Sequence, residues 1–292
     1  MNRNIILATL LLSMMLLLGG CGSKTSAPAS PTPSTSPASR ASSSTSTSTP
    51  SQVVTVTGKW ELVGKEGDWR DSVDMVAMDG MLWSVQKDGS LFKIDPANGS
   101  PTQIGGKGSF EKLQNLEGMD HMLWSIEEGT LYKNDPASAK WEQVGKEGEW
   151  ARAVDFVGLN GMLYSIEPDG SLWKTDKSGA HTLLDKGGFE GATLLTEMGG
   201  KLYTIEKGTL YETDPSSLNW RQIGKEGDFA RVNAMEGTAN FIFMIDKTGV
   251  LYKVDKDGVA TKLGDDYGET TILTTINGKL WTVEGGSLYR TS

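Results

Sequence analysis

One short phrase recurs six times between residues 81 and 290, and it limits the fold more than any other feature. Each copy has two stretches of alternating apolar and polar residues joined by a glycine turn, as in Met81-Leu-Trp-Ser-Val-Gln-Lys-Asp-Gly89-Ser-Leu-Phe-Lys. This pattern predicts a β-hairpin. The turn glycines are 37 to 41 residues apart: Gly89, Gly129, Gly170, Gly208, Gly249 and Gly286. A repeat of that length indicates one supersecondary unit used six times.

The residues around each hairpin predict two further strands. A stretch of eleven residues precedes the first hairpin, at 70–80, and a shorter strand follows it at 100–104. Four strands per ~40 residues is the period of a propeller blade, and no window shows the 3.6-residue apolar period of a helical solenoid. We therefore expect residues 52–292 to form an all-β, six-bladed β-propeller.

The two ends of this region predict how the ring closes. The sixth copy stops at Ser292 after its third strand, whereas Lys59-Trp-Glu-Leu-Val-Gly64 matches the fourth strands at 140–145 and 219–224. The N-terminal strand should therefore complete the last blade and remove an exposed sheet edge. Because tryptophan fourth strands lead only into copies one, three and five, the true unit is a pair of blades, which predicts pseudo-threefold symmetry.

The first fifty residues predict export and a membrane anchor. Residues 1–20 have the basic, apolar and small-residue regions of a signal peptide, and the apolar part is too short to span a bilayer. Leu18-Gly19-Gly20-Cys21 resembles the lipobox of bacterial lipoproteins, which implies acylation of Cys21 and a lipid-anchored protein in the cell envelope, outside the cytoplasm. Cys21 is the one cysteine of the chain, so it cannot form an internal disulfide. The Ser/Thr/Pro-rich remainder of 21–51 is expected to be a disordered tether.

The junctions that open copies one, three and five are the first candidate binding sites. They read Gly64-Lys-Glu-Gly-Asp-Trp69, Gly145-Lys-Glu-Gly-Glu-Trp150 and Gly224-Lys-Glu-Gly-Asp-Phe229, and they should share one rim with the hairpin turns. An aromatic ring beside lysine and carboxylates can stack on a sugar whose hydroxyls the neighbours bind. Alternatively, the ring fills the gap between blades. The candidate ligand-binding residues are Trp69, Trp150, Phe229, Lys65, Lys146, Lys225, Glu66, Glu147, Glu226, Asp68, Glu149 and Asp228.

The repeats resemble the tectonin and tachylectin propellers through Trp-x-x-Val/Ile-Gly, Gly-Lys-x-Gly before an aromatic, and Gly-x-Leu-Tyr-Lys. This resemblance implies a lectin-like ring that binds N-acetylated sugars or surface glycans between blades. Gly106-Lys-Gly-Ser-Phe110 and Asp185-Lys-Gly-Gly-Phe189 are most similar to the tachylectin loop, so Phe110 and Phe189 join the candidates. Either set of junctions could hold the sugar site.

Composition and motifs argue against several other functions. A net charge of −9 without a basic stripe disfavours nucleic acid as a partner. The histidines, His121 and His181, do not have zinc-ligand spacing, and no calcium loop, phosphate loop or nucleophile elbow is complete. We expect no metal, no cofactor and no catalysis, although a glycosidase carboxylate pair is compatible with the spacing.

The leading hypothesis is a tethered propeller that binds carbohydrate at up to three equivalent sites and so gains from multivalency. An envelope scaffold that binds a protein partner on the propeller rim is the alternative, and a polysaccharide hydrolase or lyase is the third possibility.

Overall fold

The structure is a computed structural model that describes residues 59–292 except 139, 266, 269 and 271. The predicted signal peptide, Cys21 and the tether lie outside these residues. The described part contains twenty-four β-strands, and no helix in it is long and apolar enough to cross a bilayer.

The strands form six antiparallel four-stranded sheets, the blades, which we number in chain order. Blade 1 contains β2 (Ser72–Met78), β3 (Met81–Gln86), β4 (Leu91–Ile94) and β5 (Pro101–Gly105). Blade 2 contains β6 (Leu113–Met119), β7 (Met122–Glu127), β8 (Thr130–Asp135) and β9 (Lys140–Val144). Blade 3 contains β10 (Asp155–Leu159), β11 (Met162–Ile166), β12 (Leu172–Thr175) and β13 (His181–Asp185).

The remaining blades repeat this order. Blade 4 contains β14 (Ala192–Met198), β15 (Lys201–Glu206), β16 (Thr209–Thr213) and β17 (Trp220–Ile223). Blade 5 contains β18 (Val232–Gly237), β19 (Phe241–Asp246), β20 (Leu251–Asp255) and β21 (Ala260–Gly264). Blade 6 contains β22 (Ile272–Ile276), β23 (Lys279–Glu284), β24 (Ser287–Thr291) and β1 (Trp60–Leu62). The prediction of a six-bladed propeller is confirmed.

The ring closes through the N-terminal strand, as predicted. Strand β1 pairs antiparallel with β24, and Trp60 lies opposite Thr291. The first strands of neighbouring blades lie side by side around the ring, including those of blades 6 and 1. Each blade is therefore covered on both faces. The second strands are buried along almost their whole length, whereas the fourth strands, at the outer edge, are mostly exposed.

Each hairpin glycine fixes the loop that enters the next blade. The N–H of the junction aromatic donates to the carbonyl of the preceding hairpin glycine, for example Trp150 to Gly129 at 2.8 Å. Gly129 has φ of 76°, and a Cβ there would lie 2.4 Å from Cα of Ala151. Both the left-handed conformation and the close approach require glycine. The same bond recurs at all six junctions, so the repeated glycine and aromatic together set the spacing between blades.

Candidate functional site

The predicted junction loops and hairpin turns share one rim, but the aromatic rings of the junctions point inward. Trp69 is 3%, Trp150 2% and Phe229 6% exposed, and each belongs to a hydrophobic cluster between blades. The faces of these rings are therefore packed against protein. This arrangement matches the alternative expectation from the sequence, in which the ring fills the gap between two blades. Any role of these three residues in binding stays a prediction and would involve only the exposed edge of the ring.

The other predicted loop residues divide into two groups. The carboxylates of Glu149 and Asp228 accept the backbone N–H groups of Lys146 and Lys225, at 3.1 and 2.9 Å, and so hold the turn. Asp68, at the matching position, lines a cavity together with Trp69. The lysine and first glutamate of each loop are exposed to solvent: Lys65, Glu66, Lys146, Glu147, Lys225 and Glu226.

A cavity of 690 Å³ opens on the outer part of blade 1 beside this loop. Its apolar wall is formed by Phe92 and Pro101 with the edge of Trp69. The rings of Trp69 and Phe92 are perpendicular, and their centroids are 6.1 Å apart. Hydrogen-bond donors and acceptors face this wall: Asp68, Asp71, Gln86, Lys87, Asp88, Ser90, Gln103 and Lys107. Carboxylates accept hydrogen bonds, ammonium groups donate them and amides do both, so the cavity can satisfy a neutral ligand with many hydroxyls.

Blade 5 has a matching cavity of 340 Å³, in which Tyr252 stands at the position of Phe92 and Ala260 at that of Pro101. In blade 3 this position is His181. Its imidazole stacks on Trp173 at 4.3 Å and also contacts Trp150 at 4.9 Å. Burial lowers the pKa of His181, so the neutral ring is favoured. The side chain at the start of the fourth strand therefore decides whether this space is open or filled.

The other three junctions also bury an aromatic residue, and a fourth-strand tryptophan lies near each of them. Phe110 contacts Trp141 at 4.1 Å, and Tyr267 contacts Trp60 at 5.3 Å. Phe189 is also buried, but Trp220 contacts Tyr211 instead, at 5.7 Å, and a cavity of 210 Å³ lies between Phe189 and Trp220.

The central channel, of 360 Å³, is lined by the first strands and by five carboxylates. These carboxylates accept backbone N–H groups from the next blade. The N–H of Leu116 donates to Asp74 at 3.0 Å, that of Leu195 to Asp155 at 2.8 Å and that of Thr275 to Glu236 at 2.9 Å. Since the first strand is the inner edge of each blade, the carboxylates satisfy N–H groups that have no partner strand.

Burial raises the pKa of the channel carboxyls. The pKa is about 6 for Asp74 and about 7 for both Asp155 and Glu236, and that of Glu117 is well above its ordinary value. Removal of these groups from water disfavours the charged form. Within the described residues, no three His, Cys, Asp or Glu side chains are arranged to hold a metal ion. The channel geometry is thus accounted for by contacts between blades.

The sequence interpretation did not assign a site role to the third-strand aromatics or to Trp220. Phe92, Tyr211 and Tyr252 follow the buried leucine of the Gly-x-Leu-Tyr-Lys phrase, so alternation along the strand turns them away from that leucine's side of the sheet. That alternation was a usable signal. The position of Pro101, His181 and Ala260 is tryptophan in blades 2, 4 and 6, but it holds a different residue in each of blades 1, 3 and 5, so no shared residue type marked it there.

No family model and no curated protein sequence matches this chain. Among solved structures it is similar to regucalcin, a calcium-binding protein from Agrobacterium tumefaciens, with 13% identity, a TM-score of 0.60 and coverage of 83% of this chain and 93% of that one. A protein of unknown function from Bacteroides thetaiotaomicron has 16% identity, a TM-score of 0.60 and coverage of 80% and 75%. Virginiamycin B lyase from Staphylococcus aureus has 11% identity, a TM-score of 0.52 and coverage of 77% and 82%. At these identities the similarity shows the propeller fold alone.

Proposed function

We propose that the protein binds carbohydrate on its rim, in the cavities of blades 1 and 5. The observation that carries this proposal is the blade 1 cavity, where Phe92 and Pro101 face amide, carboxylate and ammonium groups. A sugar ring has an apolar face and a rim of hydroxyls that both donate and accept hydrogen bonds, and this lining complements both. The resemblance of the repeats to tectonin and tachylectin propellers agrees with this ligand class.

Two sites on one ring would also serve a repetitive glycan. Binding at a second site becomes intramolecular once the first is occupied, so weak single sites give a strong overall interaction. We further propose that Cys21 is acylated and anchors the ring to a bacterial membrane, outside the cytoplasm. Labelling of the protein by a fatty-acid probe, and its loss in the C21S variant, would test the anchor.

Titration calorimetry of the full-length protein against a saccharide panel that includes N-acetylated sugars tests the carbohydrate proposal. We expect two sites per chain, one lost in Phe92→Ala and the other in Tyr252→Ala, with at least tenfold weaker binding to a polymeric glycan when both are changed. Tyr132→Ala, at the matching position of blade 2, is the control and should bind as the unmodified protein does.

Unchanged binding in the double variant would contradict the assigned cavities. The scaffold hypothesis would replace carbohydrate binding if titration calorimetry detected no heat of binding for any saccharide of the panel and one stoichiometric protein partner were recovered from native membranes.

A further inference from the structure

The cavity in blade 4 differs from its two counterparts in how its tryptophan is placed. Trp220 is 68% exposed, whereas Trp141 is 38% exposed and lies against Phe110. Strand β17 carries Trp220 beside Tyr211, and the two rings meet at 76°. The indole thus forms one side of an open cavity and does not cover the buried ring of Phe189.

Three aromatic residues and one leucine form the apolar walls of this cavity. Tyr211 and Trp220 make a corner, Phe189 closes the inner side, and Leu218 completes the wall. The volume of 210 Å³ suits a compact group, such as a tetrahedral ammonium with small alkyl substituents.

The charged groups that line the cavity are both acidic. They are Asp185 and Glu206, and no lysine or arginine is among the lining residues of the described chain. Lys207, the next residue after Glu206, has its ammonium 3.3 Å from Glu190. Burial raises the pKa of Glu206, which shows that this carboxyl lies partly removed from water. A cationic ligand would therefore meet two carboxylates and no cation among the residues that line the cavity.

Asp185 is specific to this copy. Strand pairing places it opposite Leu172, where the matching residues opposite Leu91 and Leu251 are Gly105 and Gly264. One oxygen of Asp185 accepts the N–H of Gly188 at 2.7 Å, which fixes the carboxylate at the cavity wall. The cavity whose tryptophan stays open is thus also the one to which the preceding blade adds a carboxylate.

We propose that this cavity binds a quaternary ammonium group. Such a group has no N–H to donate, so aromatic faces and nearby carboxylates are the partners that stabilise it. A bare metal ion would need three or more well-placed ligands, and the described residues contain no such set. The blade 1 cavity offers a sugar both ammonium and carboxylate groups, whereas both charged groups of this lining are carboxylates, which favour a cation.

Saturation-transfer NMR and calorimetry on the full-length protein with choline test this proposal. Its neutral isostere, 3,3-dimethyl-1-butanol, has the same shape without the charge and should bind at least tenfold more weakly. Trp220→Ala should weaken choline binding at least tenfold, and Glu206→Gln about fivefold. Trp141→Ala is the matched control and should change choline binding less than twofold.

A second ligand, phosphocholine, distinguishes two natural sources of the quaternary ammonium group, a free solute and a phosphocholine head group. Choline should bind more tightly than phosphocholine if the natural ligand is a free solute, because the carboxylates repel the phosphate; the reverse order would assign a phosphocholine head group and still support the site. Equal binding of choline and the neutral isostere would overturn the proposal. So would equal losses in Trp220→Ala and Trp141→Ala, with thermal unfolding showing that both variants are folded.

Discussion

The central channel and the outer rim both gather carboxylates, and they use them differently. In the channel, Asp74, Asp155 and Glu236 each accept an N–H from the neighbouring blade, so the group holds the ring together. On the rim, Asp68 and Asp185 line cavities beside aromatic walls. Charge density alone would place a binding site in the channel. The rim is the better place for a binding site because it has cavities with aromatic walls, whereas the channel carboxylates already accept N–H groups from the neighbouring blade.

The largest expected effect is on the channel. Asp155→Ala removes the acceptor of two N–H groups, those of Phe156 at 2.9 Å and Leu195 at 2.8 Å. Unsatisfied buried donors cost about 1–3 kcal/mol, so the free energy of unfolding should fall by about 2 kcal/mol. Urea denaturation measures this change. Asp155→Asn, which keeps an acceptor, should lose less, and Asp68→Ala on the rim should change stability by under about 0.5 kcal/mol. Equal losses in the channel and rim variants would remove the distinction.

The same channel carboxyls should make stability depend on pH. The pKa is about 6 for Asp74 and about 7 for Asp155 and Glu236, above the ordinary carboxyl values. The folded state therefore holds these protons more tightly than the unfolded state does. The contribution of this proton binding to the free energy of unfolding is lost as pH rises through 6–7. Each of these groups should lower the free energy of unfolding by about 1–3 kcal/mol between about pH 5 and about pH 8.

Denaturation midpoints at the two pH values check this dependence. Asp155→Asn should flatten the slope because one of the titrating groups is gone. A stability that rises over this range would show that rim or surface groups dominate the pH response.

The smallest effect on stability, about 1 kcal/mol, is expected for His181→Ala, which empties the space between Trp150 and Trp173. The same variant should gain a binding site: blade 3 should acquire a cavity like that of blade 5 and, under the carbohydrate proposal, a third saccharide site. Calorimetric stoichiometry measures it. Ala260→His is the reciprocal variant and should abolish the blade 5 site. A stoichiometry unchanged by either substitution would show that this position does not control the rim cavities.

Most of the fold could be predicted from the sequence because its determinants are local. The alternation around Gly89 specifies a hairpin, and the φ of 76° at this residue is one that glycine readily adopts. The match of the Trp60 segment to the later fourth strands was enough to predict closure through β1. The predicted loops also lie on one rim, because every junction aromatic bonds to a hairpin glycine of the preceding blade.

The candidate sites depended on contacts that no local pattern contains. The sequence places an aromatic at each junction, but whether the ring of Trp69 faces solvent or the gap is decided by the hydrophobic cluster that surrounds it. In the same way, His181 fills the space of blade 3 only because folding brings it between Trp150 and Trp173.

The sequence by itself therefore determined the number of blades, their pairing and the closure of the ring, since period and alternation act over a few residues. Tertiary structure alone decided which aromatic side chains are buried, as Phe110 is, and which stay open, as Trp220 does. The physical reason is that burial depends on the volume left by residues distant in the chain, so copies with the same local pattern differ in whether the tryptophan packs on the junction aromatic.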